Sequence, residues 1–164
     1  MNRRHWLLAA AAPLLLPGCG FALRQPPDYQ FSSIWLDLPA SAFKTELQRQ
    51  IEGSGRVSVL TNRRDRERAD VILHSAGPQR EQTVVSMTSA GEVREIQLRM
   101  SLRFSVTTPS GRELLAPAEI ERQMDQSYSE SESLSKGQEQ ALLYSTMQSD
   151  IVQQIVRRLE MVRL

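Results

Sequence analysis

The chain has 164 residues, 20 basic against 19 acidic, with 40% hydrophobic and only 5% aromatic side chains and a single cysteine. A charge balance that close to neutral excludes a general nucleic-acid binder, which needs a net basic face. One cysteine excludes an intrachain disulfide framework, and the length suits one domain whose core is mainly Leu, Val, Ile and Met.

Asn2, Arg3 and Arg4 form a charged start. Trp6 to Leu16 is an apolar stretch, well short of the ~20 residues that span a bilayer. Leu16-Pro17-Gly18-Cys19 closes it, with a small residue placed before a cut. This ending resembles a bacterial lipobox, although Pro17 stands where a small non-proline residue is usual. It makes residues 1–18 a lipoprotein signal peptide and Cys19 the carrier of a diacylglyceryl group and an N-acyl chain. Two or more acyl chains give stable attachment, and beyond this covalent lipid no cofactor is expected. Gly20 is not an aspartate, which favours the outer membrane of a Gram-negative cell.

Residues 19–30 read as a lipidated tether, held extended by Pro26 and Pro27. Residues 31–164 read as a single domain. Phe31 to Leu38 is a predicted strand with imperfect alternation. Ser41 is a plausible N-cap for a helix whose Phe43, Leu47 and Ile51 make one apolar stripe. Gly53 and Gly55 end that helix. Arg56 to Leu60 is a short strand, Thr61 to Arg68 a charged loop, and Ala69 to Ser75 another strand, interrupted at Gly77 and Pro78. Thr83 to Thr88 resumes extended structure, and Ser89-Ala90-Gly91 is a hairpin turn.

The strongest pattern follows. Ile96, Leu98, Met100, Leu102, Phe104 and Val106 alternate strictly with polar residues, the signature of a half-buried strand. Burying each apolar member is worth ~1.5–3 kcal/mol, so Leu102→Asp should be severe. Thr108-Pro109-Ser110-Gly111 is a turn. The chain returns with Leu114, Ala116, Ala118, Ile120 and Met124 on one side, and Pro117 marks an edge or a bulge. Gln126 to Ser135 is a loop. Ser135 and Gln138 fit a capping box opening a last helix to about Val162. Its predicted inward stripe is Ala141, Ser145, Gln148, Val152, Ile155 and Leu159, widened by Ile151 and Val156.

No catalytic constellation is visible. His74 is the only histidine outside the leader and reads as a sheet-face residue. Paired glutamates such as Glu92 and Glu95, or Glu119 and Glu121, occupy wet strand faces. The Arg63–Arg68 run is nearly cancelled by Asp65, Glu67 and Asp70. A metal site would want two or more soft or imidazole ligands, so an enzyme is not expected. Lys136 differs from the other cations: it lies in the first turn of the last helix, where anions are attracted.

Cys19-Gly20-Phe21-Ala22-Leu23-Arg24 resembles the mature start of the LptE family of lipopolysaccharide-assembly lipoproteins, typically Cys-Gly-Phe/Trp-x-Leu-Arg. The order strand, helix, meander, long C-terminal helix is similar too. So is Leu134-Ser135-Lys136-Gly137-Gln138-Glu139-Gln140, with its lysine ahead of the last helix. The resemblance implies a two-layer α/β (α+β) sandwich: a mostly antiparallel four- to five-stranded sheet with two helices packed on one face. It implies a non-enzymatic plug in a one-to-one complex with an LptD-like outer-membrane β-barrel, helping that barrel assemble and delivering lipopolysaccharide to the outer leaflet. It places the protein on the periplasmic side of the outer membrane or in the barrel lumen, with no nucleic acid among its partners. Lys136 matches the family's lipopolysaccharide contact. The second basic contact falls where this chain has Met87, Thr88 and Ser89, which leaves Arg94 and Arg80 as replacements. The alternative is a free-standing outer-membrane lipoprotein scaffolding another envelope complex.

Overall fold

A computed structural model of the chain describes residues 27–128 and 133–164. The predicted leader, Cys19 and most of the tether lie outside the described residues, as does part of the serine- and glutamate-rich loop. The elements run β1 (Ser33–Asp37), α1 (Ala42–Glu52), β2 (Ser58–Leu60), a 3₁₀ turn (Arg63–Arg68), β3 (Val71–His74), β4 (Gln79–Met87), β5 (Val93–Thr107), β6 (Glu113–Ser127) and α2 (Ser133–Leu159).

The sheet has six strands, not the expected four or five, and its long pairings are antiparallel as expected, but it is mixed. β1 pairs in parallel with β2 on one side and with β3 on the other. The cause is α1. It carries the chain back across the sheet, so the next strand must start at the same end as β1, as in a strand–helix–strand crossover. The 3₁₀ turn then returns the chain to that end for β3, where a loop was expected. Ile34, Leu36, Val71, Ile72 and Leu73 are all buried. Strands covered on both faces lose their alternation, which explains the imperfect pattern of β1. The face away from the helices is therefore not wholly wet, since Ile72 is buried there beside Trp35.

β5 is the axis of the meander. β6 pairs along almost its whole length on one edge. The other edge is shared, with β3 opposite Ser105–Thr107 and β4 opposite Val93–Ser101. All six predicted apolar positions of β5 are buried. Pro117 lies in a register shift, where Leu115 pairs with Val106 and Ala118 with Phe104. The bulge flips the phase of β6, so Leu115 rather than Ala116 faces Val106, and Ala116 is exposed instead of inward. On the open face Arg99 lies between Glu81 and Glu121, and Arg103 pairs with Glu119.

Ser41 caps α1 as its sequence predicts, its hydroxyl accepting from Lys44 N at 3.2 Å. Phe43, Leu47 and Ile51 are buried. Gly53 stays right-handed and Gly55 takes the left-handed turn (φ +69°) that glycine adopts without strain. The Lys44 ammonium donates to the carbonyls of Leu36 and Leu38, closing the end of β1.

α2 begins at Ser133, so Ser135 is a helical residue and the predicted capping box is not the start. Its inward stripe follows the prediction from Gln148 through Ile151, Val152, Ile155, Val156 and Leu159 but departs from it in the first turns. Tyr144, Met147, Gln148, Ile151, Val152, Ile155 and Leu159 are buried, whereas Ala141 and Ser145 are exposed. Three and seven residues back from Ile151 lie Gln148 and Tyr144, the positions a helix keeps on one face. Both helices share one core with the sheet. α2 and α1 are tied by Glu46, whose carboxylate accepts from Gln148 at 2.8 Å and Ser149 at 2.7 Å.

The strand directions give the molecule two ends. The described chain enters beside the start of β1, the end of α1, the β5–β6 turn and the end of α2. The β4–β5 hairpin turn and the start of α2 lie at the other end. Fifteen residues of β5 separate these ends by about 48 Å.

Candidate functional site

The far end is built from the tip of the β4–β5 hairpin, the end of β6 and the first turns of α2. Thr88 and Glu92 close the hairpin (Thr88 N to Glu92 O 2.7 Å), and Gly91 supplies the positive φ of its turn. Three rows cross the sheet here: Gln82–Leu98–Met124, Val84–Ile96–Gln126 and Ser86–Glu95–Ser127. A register shift at Val85 ends the regular ladder of β4. Val84, Val85 and Met87 are 43%, 48% and 58% exposed, an apolar surface at the tip that the helices leave uncovered.

Lys136 joins α2 to this end of the sheet. Its ammonium donates to Ser127 Oγ at 3.2 Å and Glu139 Oε2 at 2.9 Å. Its own carbonyl accepts from Gln126 Nε2 at 3.0 Å. These contacts leave its side chain only 16% exposed. Glu139 is held below the ordinary carboxylate value, first by the hydrogen bond from Lys136 and then by one from Gln126. Lys136 is thus a satisfied cation with its long stem covered, not a free one at a helix end.

Arg94 lies on β5 two residues before Ile96, next to the hairpin turn. It is exposed and forms no ion pair among the described residues. Its backbone carbonyl accepts from Tyr128 N at 2.8 Å, which fixes the strand there. Arg80 is different: it sits four residues back along β4 from Val84, about 13 Å away. Its guanidinium lies 4.9 Å from the centre of the Tyr144 ring, a cation–π contact. The Tyr144 hydroxyl donates to Glu81 O at 2.8 Å, and burial raises its pKa despite the nearby Arg80. The structure therefore brings Lys136 and Arg94 to the tip and sets Arg80 apart, against the helix. Cys19 lies outside the described residues.

Sequence reasoning missed Ser127, Gln126 and Glu139 as the setting of Lys136. The Lys136–Glu139 spacing of three carried that signal, since helical residues three apart are neighbours. His74 spans three strands, with Nδ1 3.0 Å from Asp37 Oδ2 and Nε2 3.0 Å from Thr107 Oγ1. Asp37 also lies 3.8 Å from Arg66. Carboxylate, imidazole and hydroxyl here link β1, β3 and β5, matching the sheet-face reading of the histidine.

A family model described as LptE, Lipopolysaccharide-assembly, matches residues 31–159. No curated protein matches the sequence. Among solved structures the chain is similar to a solution structure of an uncharacterized lipoprotein B from Nitrosomonas europaea. Identity is 27%, TM-score 0.72, and the match covers 86% of this chain and 90% of that one. A rare lipoprotein B from Shewanella oneidensis matches at 21% identity and TM-score 0.63, over 77% of this chain and 92% of that one. A minor lipoprotein from Acinetobacter baumannii matches at 17% identity and TM-score 0.63, over 81% and 93%. The last two show the fold alone.

Proposed function

The chain belongs to the LptE lipopolysaccharide-assembly family, and from that premise we propose that it is an outer-membrane lipoprotein, anchored through lipid on Cys19. It plugs and helps assemble an LptD-like β-barrel one-to-one and assists delivery of lipopolysaccharide to the outer leaflet. The family is non-enzymatic, and the role rests on binding surfaces rather than on a reacting group.

One observation carries the lipopolysaccharide part. The tip carries exposed Val84, Val85 and Met87 on β4 at the same end of the sheet as the cations Arg94 and Lys136. An amphiphile with phosphates on an acylated sugar needs that combination: cations for the phosphates and apolar surface for the chains. The polar open face, with Arg99 and Arg103 each paired to carboxylates, suits a barrel lumen, which is polar. The proposal keeps residues 1–18 as signal peptide, 19–30 as tether and 31–164 as one domain.

The test is isolation of the lipidated, C-terminally tagged protein from gently solubilised outer membrane of a related Gram-negative host. One dominant β-barrel at near one-to-one ratio is the expected result. A lipoprotein recovered without a barrel would overturn the plug and leave the free-standing scaffold.

A further inference from the structure

We infer that Glu139 competes internally with anionic ligands for Lys136, so that a phosphate gains full access to the ammonium by displacing a carboxylate. The inference rests on the reading that lipopolysaccharide phosphate binds at Lys136. Its own ground is the geometry of the pair. Two of the three ammonium donors are taken, one by Ser127 Oγ and one by Glu139 Oε2. The two acceptors are not equivalent. Ser127 belongs to the β6 ladder, where it pairs with Glu95, and its short side chain keeps the hydroxyl close to the strand. Glu139 is carried on a flexible side chain that is 44% exposed. It can swing into water, so it is the acceptor an arriving anion replaces.

The carboxylate does two things while in place. It fills a donor direction of the ammonium, and it puts a unit negative charge within a few ångströms of any second anion. A phosphomonoester carries about −1.5 to −2 charges and three acceptor oxygens, so it can outbid a carboxylate for one ammonium. A ligand offering only a carboxylate gains nothing by the exchange. The pair therefore selects phosphorylated over merely acidic sugars. Gln126 holds the gate in register by donating to the Lys136 carbonyl and to the Glu139 carboxylate.

The experiment titrates purified lipopolysaccharide against the full lipidated protein in detergent, comparing wild type, E139Q, K136Q and the double variant. Thermal melts by circular dichroism verify folding. Glutamine keeps the shape of Glu139 and removes its charge. E139Q should bind about two- to fivefold more tightly, the scale of an exposed charge pair. K136Q should bind more weakly, and E139Q should add nothing in the K136Q background. Enzymatically dephosphorylated lipopolysaccharide should show no gain from E139Q. If K136Q weakens binding while E139Q leaves it unchanged, the competitor role is overturned and the lipopolysaccharide reading stands. If folded wild type does not bind, or K136Q binds as wild type does, Lys136 is not the contact and the inference falls with it.

Discussion

Asp70 is the residue whose removal tests the local energetics most directly. Its Oδ2 accepts from Ser32 N at 2.8 Å, Ser32 Oγ at 2.8 Å and Ser33 N at 2.9 Å. Its own backbone N donates to Ser33 Oγ at 3.0 Å. One carboxylate thus fixes where the described chain enters β1 against the start of β3. A hydrogen bond to a charged group contributes ~1.5–3 kcal/mol in favourable cases. Here three share one oxygen in a partly exposed position, and water can replace them, so the sum must be discounted. Asp70→Ala should cost about 2 kcal/mol, and Asp70→Asn about 1 kcal/mol, because the amide oxygen still accepts but without charge. Burial pushes the Asp70 carboxyl up, but the bonds from Ser32 and Ser33 together outweigh it and hold the pKa below its ordinary 3.8. A depressed folded value means that this stability is present above the unfolded pKa and is lost as pH falls through the folded one. The assay is urea denaturation at pH 7 and across the acid range below pH 4. The wild type should lose its advantage over Asp70→Ala as the carboxyl protonates. A variant within 0.5 kcal/mol of wild type at pH 7, or a difference independent of pH, would refute the reasoning.

Two further expectations concern the core and the helix contact. Leu102 is 1% exposed and lies opposite Ile120, so Leu102→Ala should cost about 3 kcal/mol through the cavity it leaves, read from the urea midpoint at unchanged slope. Tyr144→Phe removes only the bond to Glu81 O and should cost about 1 kcal/mol; an equal loss in both variants would show that the hydroxyl anchors α2 more strongly than one hydrogen bond can.

The parts of the fold read correctly from sequence are those where one local rule decides. β5 has one covered and one wet face, so its six apolar positions fall at every second residue, and all are buried. Ser41 precedes a clean four-spaced stripe, and its cap forms. What was not legible depends on long-range pairing. β2 and β3 have three and four residues, too few to show a period, and their parallel partner is fixed by where α1 leaves the chain. The strand–helix–strand spacing of residues 31–60 did contain that message. The stripe of α2 was legible from Gln148 to Leu159, but its first turns were not, because Tyr144 is amphipathic: its ring is buried while its hydroxyl reaches β4. In β6 the bulge at Pro117 set Leu115 rather than Ala116 opposite Val106. For the site, Lys136 and Arg94 were legible as cations, but the burial of Lys136 by Ser127 and Glu139 was not, because Ser127 comes from another element.

The two long edges of the meander are unequal, and that inequality bears on the tip. β6 carries the Pro117 bulge and a run of charges from Glu119 to Asp125, devices that stop an exposed strand from pairing. β4 also breaks its ladder, at Val85, but its end carries the exposed apolar residues Val84, Val85 and Met87 in place of charges. If this surface meets acyl chains while Lys136 and Arg94 meet phosphates, the two contributions should separate by salt. Val84→Ser with Met87→Ser exchanges side chains already about half in water, so the melting temperature should stay close to wild type. Binding of lipopolysaccharide should nevertheless weaken several-fold, by an amount that barely changes with ionic strength, because apolar contact is not screened. K136Q should instead remove affinity mainly at low salt. Titrating both variants at low and high ionic strength measures the two slopes. Unchanged binding by the serine pair would remove the acyl contact from the tip, whatever Lys136 does.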